Sequence, residues 1–304
     1  MDLVININKP KGITSHEAVS KVKKILKAKK AGHTGTLDPA ATGVLLVCTN
    51  RATRLASYFS SLDKEYSAVI KLGEATDTQD AEGTVIEKSN EVKVTKSVLM
   101  NTLKSFEGKI LQKPPMFSAL KHKGKPLYKY AKKGIDIPRK SRNVYIHHIE
   151  LLDMELPYAR FKTVCSKGTY IRTLCDDAGK KLGIGAHLFE LRRTAIGSFK
   201  IKDAKTIEEL TESSTKNKGI YTMDSALFWM PELKIEQSQV KSVMNGNPIK
   251  ISACISSPDD PETGLNGLVG TAGIKIKSPD NEFLAVGSFS AGKNTVKIDV
   301  VFRT

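Results

Sequence analysis

The chain has 304 residues, 40% of them hydrophobic, which suits a globular protein with one large domain and a smaller one. Its 48 Lys and Arg against 32 Asp and Glu leave a formal charge of +16, which favours a polyanionic partner. No apolar run approaches the roughly 20 residues that span a bilayer, and Met1-Asp2-Leu3-Val4-Ile5-Asn6 lacks the basic start and apolar core of a signal peptide, so no membrane partner and a cytoplasmic location are expected.

Val4 to Asn8 reads as a short strand. Thr14 with Glu17 three residues on forms a capping box, and the helix it opens places Ala18, Val22 and Ile25 on one stripe. The opposite face carries Lys21, Lys23, Lys24 and Lys27, with Lys29 and Lys30 following: a solvated surface or a phosphate-contacting one. Next comes the stretch from Gly32 to Gly43, G-H-T-G-T-L-D-P-A-A-T-G, which sets glycines and threonines around one carboxylate, Asp38. Glycine permits close backbone approach and Pro39 fixes the chain just after the acid, so the loop can hold Asp38 rigidly near a ligand. The plain alternative is a polar surface turn closed by an Asx-type bond.

Val44 to Val47 suits a buried strand and Glu65 to Leu72 another. Ser97 to Glu107 has helical spacing and stops at Gly108. Residues 109 to 143 are basic and interrupted by Pro114-Pro115, Pro126 and Pro138, which predicts a loop and short helix projecting from the core. Strands resume at Val144–Leu151 and Arg160–Ser166, and a helix from Tyr170 to Leu182 ends at Gly183. After Met230-Pro231 short β-like runs (Leu265–Ile276, Glu282–Phe289 and Thr295–Phe302) alternate with turn residues, the pattern of a small β-barrel.

The four cysteines, Cys48, Cys165, Cys175 and Cys254, have no C-x-x-C spacing, and His147-His148 has no cysteine pair beside it, so free buried thiols and no metal are expected. A phosphate cradle of the P-loop kind is excluded, because no lysine follows Gly35 or Gly43 and the loop centres on an acid.

Three further stretches stand out: Lys64-Glu65-Tyr66 with Leu72 to Gly83, Gln112 to Lys121 with its Pro114-Pro115, and Ser166-Lys167-Gly168-Thr169-Tyr170-Ile171-Arg172 followed by Leu191-Arg192-Arg193. Together with G-H-T-G-T-L-D-P-x-A-T-G-V-L, over roughly residues 3 to 200 and in the same order, they resemble the TruB family of tRNA pseudouridine-55 synthases, bacterial type. The resemblance implies an α+β pseudouridine synthase fold, a mixed, mainly antiparallel central sheet flanked by helices with a small C-terminal PUA-like β-barrel. It divides the chain into a catalytic domain at 1–230, with a tRNA-gripping insertion at about 109–143, and an RNA-binding domain at 231–304.

The implied reaction isomerises uridine to pseudouridine in the tRNA T-loop after base flipping, without a cofactor, in a monomer needing no protein partner and gripping the tRNA T-arm and elbow. Asp38 matches the essential carboxylate, and two roles stay open for it: nucleophilic addition, or proton abstraction at the sugar. Arg172 matches its basic partner, where the residue alone reads as a surface arginine. Tyr66 matches the tyrosine that stacks on the base and is the candidate for removing the C5 proton; alone it reads as core. Tyr170 and Leu191 match pocket walls, and His33 the histidine that fills the space a flipped base leaves, with a structural cap of the turn as its alternative. Lys9 lies in the K-P-x-G-x-T-S motif beside the site, as a substrate contact or a support. Asp77 and Asp80 are expected to brace a turn. Phe117 and Lys132 depart from the family's usual tyrosine and arginine, both within the insertion. The competing reading is a non-catalytic RNA-binding or tRNA-folding protein on the same scaffold; retention of Asp38, Tyr66 and Arg172 together argues against it.

Overall fold

The structure, a computed structural model, describes all residues except 212–217, 251–253, 256–272, 291, 293 and 303–304, together with the backbone alone at 254–255. The chain opens with β1 (Leu3–Lys9), then α1 (Ser15–Ile25), β2 (Ala31–His33), β3 (Thr42–Thr49), α2 (Ala56–Ser61) and β4 (Lys64–Leu72). A hairpin of β5 (Glu74–Thr76) and β6 (Val85–Lys88) precedes α3 (Lys96–Lys104) and β7 (Gly108–Gln112). The insertion holds a small hairpin, β8 (Lys121–His122) with β9 (Lys125–Pro126), and the short α4 (Leu127–Ala131). Then follow β10 (Arg142–Glu155), β11 (Tyr158–Cys165), α5 (Ile171–Leu182), β12 (Ala186–Ile196), β13 (Phe199–Lys200) and β14 (Ile220–Thr222). The C-terminal part comprises β15 (Glu232–Ile235), α6 (Gln237–Met244), β16 (Ile249–Lys250), β17 (Cys254–Ile255), β18 (Ile274–Lys277), β19 (Phe283–Ser290) and β20 (Thr295–Val301).

Ten strands form the central sheet in the order β14-β1-β3-β12-β4-β11-β10-β7, with β2 beside β3 and β13 beside β12. Every pairing is antiparallel except β12 with β3, so the sheet is mixed and mainly antiparallel as expected. The register through its middle places Gly43, Arg193 and Tyr66 in one row and Thr42, Arg192 and Ser67 in the next. Because successive strand residues point to opposite faces, Arg192 and Arg193 face different surroundings.

Local signals account for the helices. The capping box closes as predicted: Thr14 Oγ1 accepts from Glu17 N at 3.1 Å, and Glu17 Oε2 accepts from Thr14 N at 2.6 Å. Helix α1 stops at Ile25, short of the lysines that follow, because Lys27 turns left-handed (φ 46°). Helix α5 stops at Gly183 (φ 71°), a glycine C-cap. Helices α3 and α5 bury Leu99, Leu103, Leu174 and Ala178 against Ala68, Ile70 and Phe161 of the sheet, and α1 covers β1 and β3 through Ala18 and Val22.

Three expectations change. Residues 109–112 are not part of the projecting segment; they form most of the edge strand β7, hydrogen-bonded to β10. Strand β12, absent from the sequence-based reading, lies between β3 and β4. The C-terminal barrel is a curled half-barrel, a sheet ordered β16-β20-β19-β18-β15-β17. Of the run expected at Leu265–Ile276, residues 265–272 lie outside the described residues. The half-barrel shares a core with the central sheet, since Val286 and Phe302 pack with Val4, Phe59, Phe199 and Met230. Cys48, Cys165 and Cys175 are free and buried; the Cys254 side chain lies outside what is described.

Candidate active site

The loop from Gly32 to Gly43 is clamped from beneath by the β1–α1 connection. Ser15 Oγ accepts from Leu37 N at 2.8 Å and donates to Leu37 O at 2.9 Å. Gly12 N donates to Pro39 O at 2.9 Å. Lys9 is fully buried, and its ammonium donates to Pro10 O and Ile13 O, both at 2.8 Å, and to Pro39 O at 3.3 Å. Burial pushes the Lys9 pKa down to about 8, with Asp38 acting the other way. His33 Nδ1 accepts from Gly35 N at 3.3 Å, so the imidazole caps the turn in its neutral form; burial and the nearby Arg193 charge both lower its pKa. Gly43 is required by geometry: at φ 104°, a Cβ there would stand 2.2 Å from Arg193 O.

Above this clamp stands Asp38, half-buried, its Oδ2 3.1 Å from Nη2 of Arg172 on the first turn of α5. Arg172 is 5% exposed and its fork is heavily used. Nη1 donates to Asp80 Oδ2 at 3.0 Å and to Thr78 O at 3.3 Å, and Nη2 donates to Phe117 O at 2.6 Å. Asp80 is set by its own turn, its Oδ1 accepting from Thr78 Oγ1 at 2.6 Å and Glu82 N at 3.1 Å. That turn is tied to α5 by Gln79, which donates to Asp176 Oδ2 at 2.8 Å and accepts from Thr173 Oγ1 at 2.9 Å. Burial raises the Asp38 pKa above the ordinary carboxylate range; Arg172 opposes this, and the Asp80 charge adds to it.

Tyr66 is 8% exposed, packed among Leu37, Ala41 and Ala68, and hydrogen-bonded to the fully buried Arg193. Burial lifts its phenol above the usual value and the guanidinium pulls it back. Arg193 donates from Nε to Val44 O at 2.7 Å and from Nη2 to Gly35 O at 3.0 Å, so it ties Tyr66, β3 and the Asp38 loop together. Tyr170 caps α5; Gln112 Oε1 accepts from its N at 2.7 Å, Gln112 Nε2 donates to its O at 3.0 Å, and the Arg142 guanidinium lies over its ring at 5.0 Å.

Asp38, Tyr66, Tyr170, Arg172 and Leu191 thus meet along one cleft of about 760 Å³. Its lining also includes Lys64, Arg142, Lys167 and Arg193, so Asp38 is the single carboxylate among five cations. Ser118 and Ala119 of the insertion close one side. The cleft does not reach Lys9 and His33, which lie behind the loop as its fasteners. Asp80 does brace a turn, as expected, but it also grips Arg172, and Arg193, present in the sequence only as part of the Leu191-Arg192-Arg193 stretch, acquires a role through its contacts. The sequence sign of Arg193 is an arginine doublet in a strand of mixed polarity. Among the described residues no cluster of three His, Cys, Asp or Glu could hold a metal ion, and no helix is long and apolar enough to cross a membrane.

The family model for the N-terminal domain of TruB family pseudouridylate synthases matches residues 23–171, and the tRNA pseudouridylate synthase B C-terminal domain matches residues 172–227. The fold agrees with two solved structures. An H/ACA ribonucleoprotein bound to a substrate RNA containing 2′-deoxyuridine has a chain 27% identical, TM-score 0.72, matched over 99% of this chain and 85% of that one. A Cbf5–Nop10–Gar1 complex has one 30% identical, TM-score 0.74, over 99% and 84%. Sheet, cleft and matched domains together define a pseudouridine synthase.

Among such enzymes the similarity is specific. The tRNA pseudouridine synthase B of Clostridium kluyveri is 45% identical over 256 residues, 84% of this chain and 88% of that protein, and its counterpart in Mannheimia succiniciproducens is 41% identical over 299 residues, 96% and 93%. The chain belongs to the TruB family of pseudouridine synthases.

Proposed function

We propose that this enzyme acts on tRNA, isomerising the uridine at T-loop position 55, with Asp38 as the essential carboxylate, Arg172 as its partner and Tyr66 as the base-facing tyrosine. The observation that carries this reading is the Asp38–Arg172 pair at 3.1 Å beside Tyr66 in a cation-lined cleft. In the reaction the N1–C1′ bond breaks, the base turns, and a C5–C1′ bond forms. The C5 proton leaves and N1 ends protonated, so no electrons are gained or lost.

The residues divide the work by their contacts. Arg172 keeps Asp38 oriented and favours its ionised form, the form needed for either addition or proton abstraction. Tyr66 offers its ring as a platform and its phenol for the C5 proton; burial raises the phenol's pKa and Arg193 offsets part of that rise. Tyr170 and Leu191 wall the cleft, while Lys9 and His33 hold the loop that presents Asp38. The cations of the cleft suit the RNA backbone. The enzyme acts as a cytoplasmic monomer, with residues 1–230 as its catalytic unit, the segment between β7 and β10 gripping the T-arm and elbow, and the PUA-like 231–304 as a further RNA contact.

The test is incubation of the purified chain with unmodified tRNA transcript, followed by site-by-site mapping of pseudouridine. Product at the T-loop uridine alone is expected; product elsewhere only, or none, would overturn the reading.

A further inference from the structure

A second cavity, of about 490 Å³, adjoins the catalytic cleft and is used by nothing described so far. Leu191 lines both, and Ala40 and Thr42 of the Asp38 loop form part of the second cavity's wall. Its size falls in the range of about 300 to 1,000 Å³ typical of ligand sites. Strand alternation decides its character. Arg193 turns to the catalytic cleft, whereas Arg192, in the row with Thr42 and Ser67, turns to the second cavity.

Three cations reach it from separate segments: Lys11 from the β1–α1 turn, Arg160 from β11 and Arg192 from β12, all exposed. Arg160 has a loose partner in Asp153 at 3.6 Å; no ion pair involves Lys11 or Arg192 among the described residues. Beside them Phe189 is 40% exposed, its ring tilted against that of Tyr158 at 4.8 Å, which makes an aromatic platform open to solvent. An exposed phenylalanine in a basic surround offers a base-stacking face together with phosphate-binding groups, the combination used to hold unpaired nucleotides. Glu190 is the one carboxylate of the lining; it disfavours phosphate beside it and offers an acceptor to an amino-bearing base edge.

We propose that this cavity is a second nucleotide subsite, taking an unstacked nucleotide that neighbours the target uridine, with its base on Phe189 and its phosphate between Arg192, Arg160 and Lys11. The subsite rests on the reading of the chain as an RNA-modifying enzyme. It explains why an RNA strand entering the catalytic cleft meets cations on both sides of Leu191. It also gives the enzyme a way to hold the loop open by a second base while the first reacts.

The test uses the full-length chain and an unmodified tRNA transcript, with Kd measured across a salt series and kcat at saturating RNA. Phe189→Ala is expected to weaken binding about 5- to 150-fold, the size of one lost base–aromatic stack. Phe189→Tyr, which keeps the ring, is expected to restore it. Arg192→Gln is expected to lower the slope of log K against log salt by about 0.7, one single-strand phosphate contact. Lys96→Gln on α3, a helix that lines neither cavity, removes the same charge and is expected to leave Kd and slope unchanged. Wild-type turnover with unaltered Kd and slope in the Phe189 and Arg192 variants would overturn the subsite alone. A wild-type chain that binds tRNA but forms no pseudouridine would overturn the functional reading on which the subsite rests. Equal weakening by Phe189→Tyr and Phe189→Ala would also refute the stacking role.

Discussion

Asp80→Asn tests the site's electrostatics at a residue that never touches the cleft. The substitution keeps the shape and an oxygen acceptor for Thr78 Oγ1 and Glu82 N, but places an amide where Arg172 Nη1 now meets a carboxylate at 3.0 Å. At an effective dielectric of about 20, the gross attraction lost is about 5 kcal/mol. Desolvation of the pair cancels part of it, and a hydrogen bond to a charged group contributes a net 1.5–3 kcal/mol or so. Unfolding free energy is therefore expected to fall by about 2 kcal/mol. With one anchor gone, the Arg172 fork turns toward Asp38 and the carboxylate shifts. A displacement near 1 Å costs turnover on the order of 100-fold, with KM little moved. The pH profile gives an independent sign. In the proposed reaction Asp38 must be ionised; burial raises its pKa above the ordinary Asp value, and the Asp80 charge is a further cause of that elevation. The wild-type acid limb of kcat/KM thus lies above the ordinary Asp value of about 3.9, and activity is lost as pH falls through it. Removing the Asp80 charge moves that limb to lower pH. Single-turnover pseudouridine formation across a pH series, with urea unfolding alongside, reads both effects. Turnover within a few-fold of wild type, or an acid limb that stays in place, would refute the shared-arginine argument.

Asp38→Asn is expected to abolish pseudouridine formation while tRNA affinity stays within a few-fold, read by product mapping and filter binding; near-normal turnover would remove Asp38 from the chemistry. Lys9→Met deprives three backbone carbonyls of their buried donor and is expected to cost about 1–3 kcal/mol of stability and lower kcat. Its salt slope for RNA binding should equal that of the wild type, whereas a phosphate-contacting lysine would lower it by about 0.7. Gly43→Ala combines a left-handed φ of 104° with a Cβ placed 2.2 Å from Arg193 O, so a loss above about 3 kcal/mol, or no soluble protein, is expected; a urea midpoint near wild type would contradict the packing.

The elements legible in the sequence were those with local causes. The Thr14–Glu17 box starts α1, Gly183 ends α5, and the alternation of Glu65–Leu72 marks β4, because each signal lies within a few residues of its effect. Strand β12 was hidden for the opposite reason. Its central residues, Glu190, Arg192 and Arg193, read as surface, and the acceptors that allow Arg193 to be buried are Val44 O and Gly35 O, about 150 residues earlier. Edge strand β7 reads as polar loop because only part of it is covered. Asp80 gave away its turn, which is local, and concealed its grip on Arg172, 92 residues away. Asp38, Tyr66 and Arg172 were named through family resemblance, since nothing in their spacing along the chain brings them to one cleft.

The sharing of Arg172 between two carboxylates has a chemical consequence. A guanidinium paired with Asp38 alone would hold the carboxyl well below its usual pKa, leaving it ionised but a weaker base and a poorer nucleophile. Here the same cation also serves Asp80, so the three groups together carry one net negative charge, and the exposed end of that triad is Asp38. Burial then raises its pKa instead of the ion pair lowering it. The remaining Arg172 bonds go to Thr78 O and to Phe117 O of the segment that closes the cleft. One side chain therefore fixes the acid's position and strength and joins three distant stretches of chain, so the carboxylate proposed to react is set in place only when all three have come together.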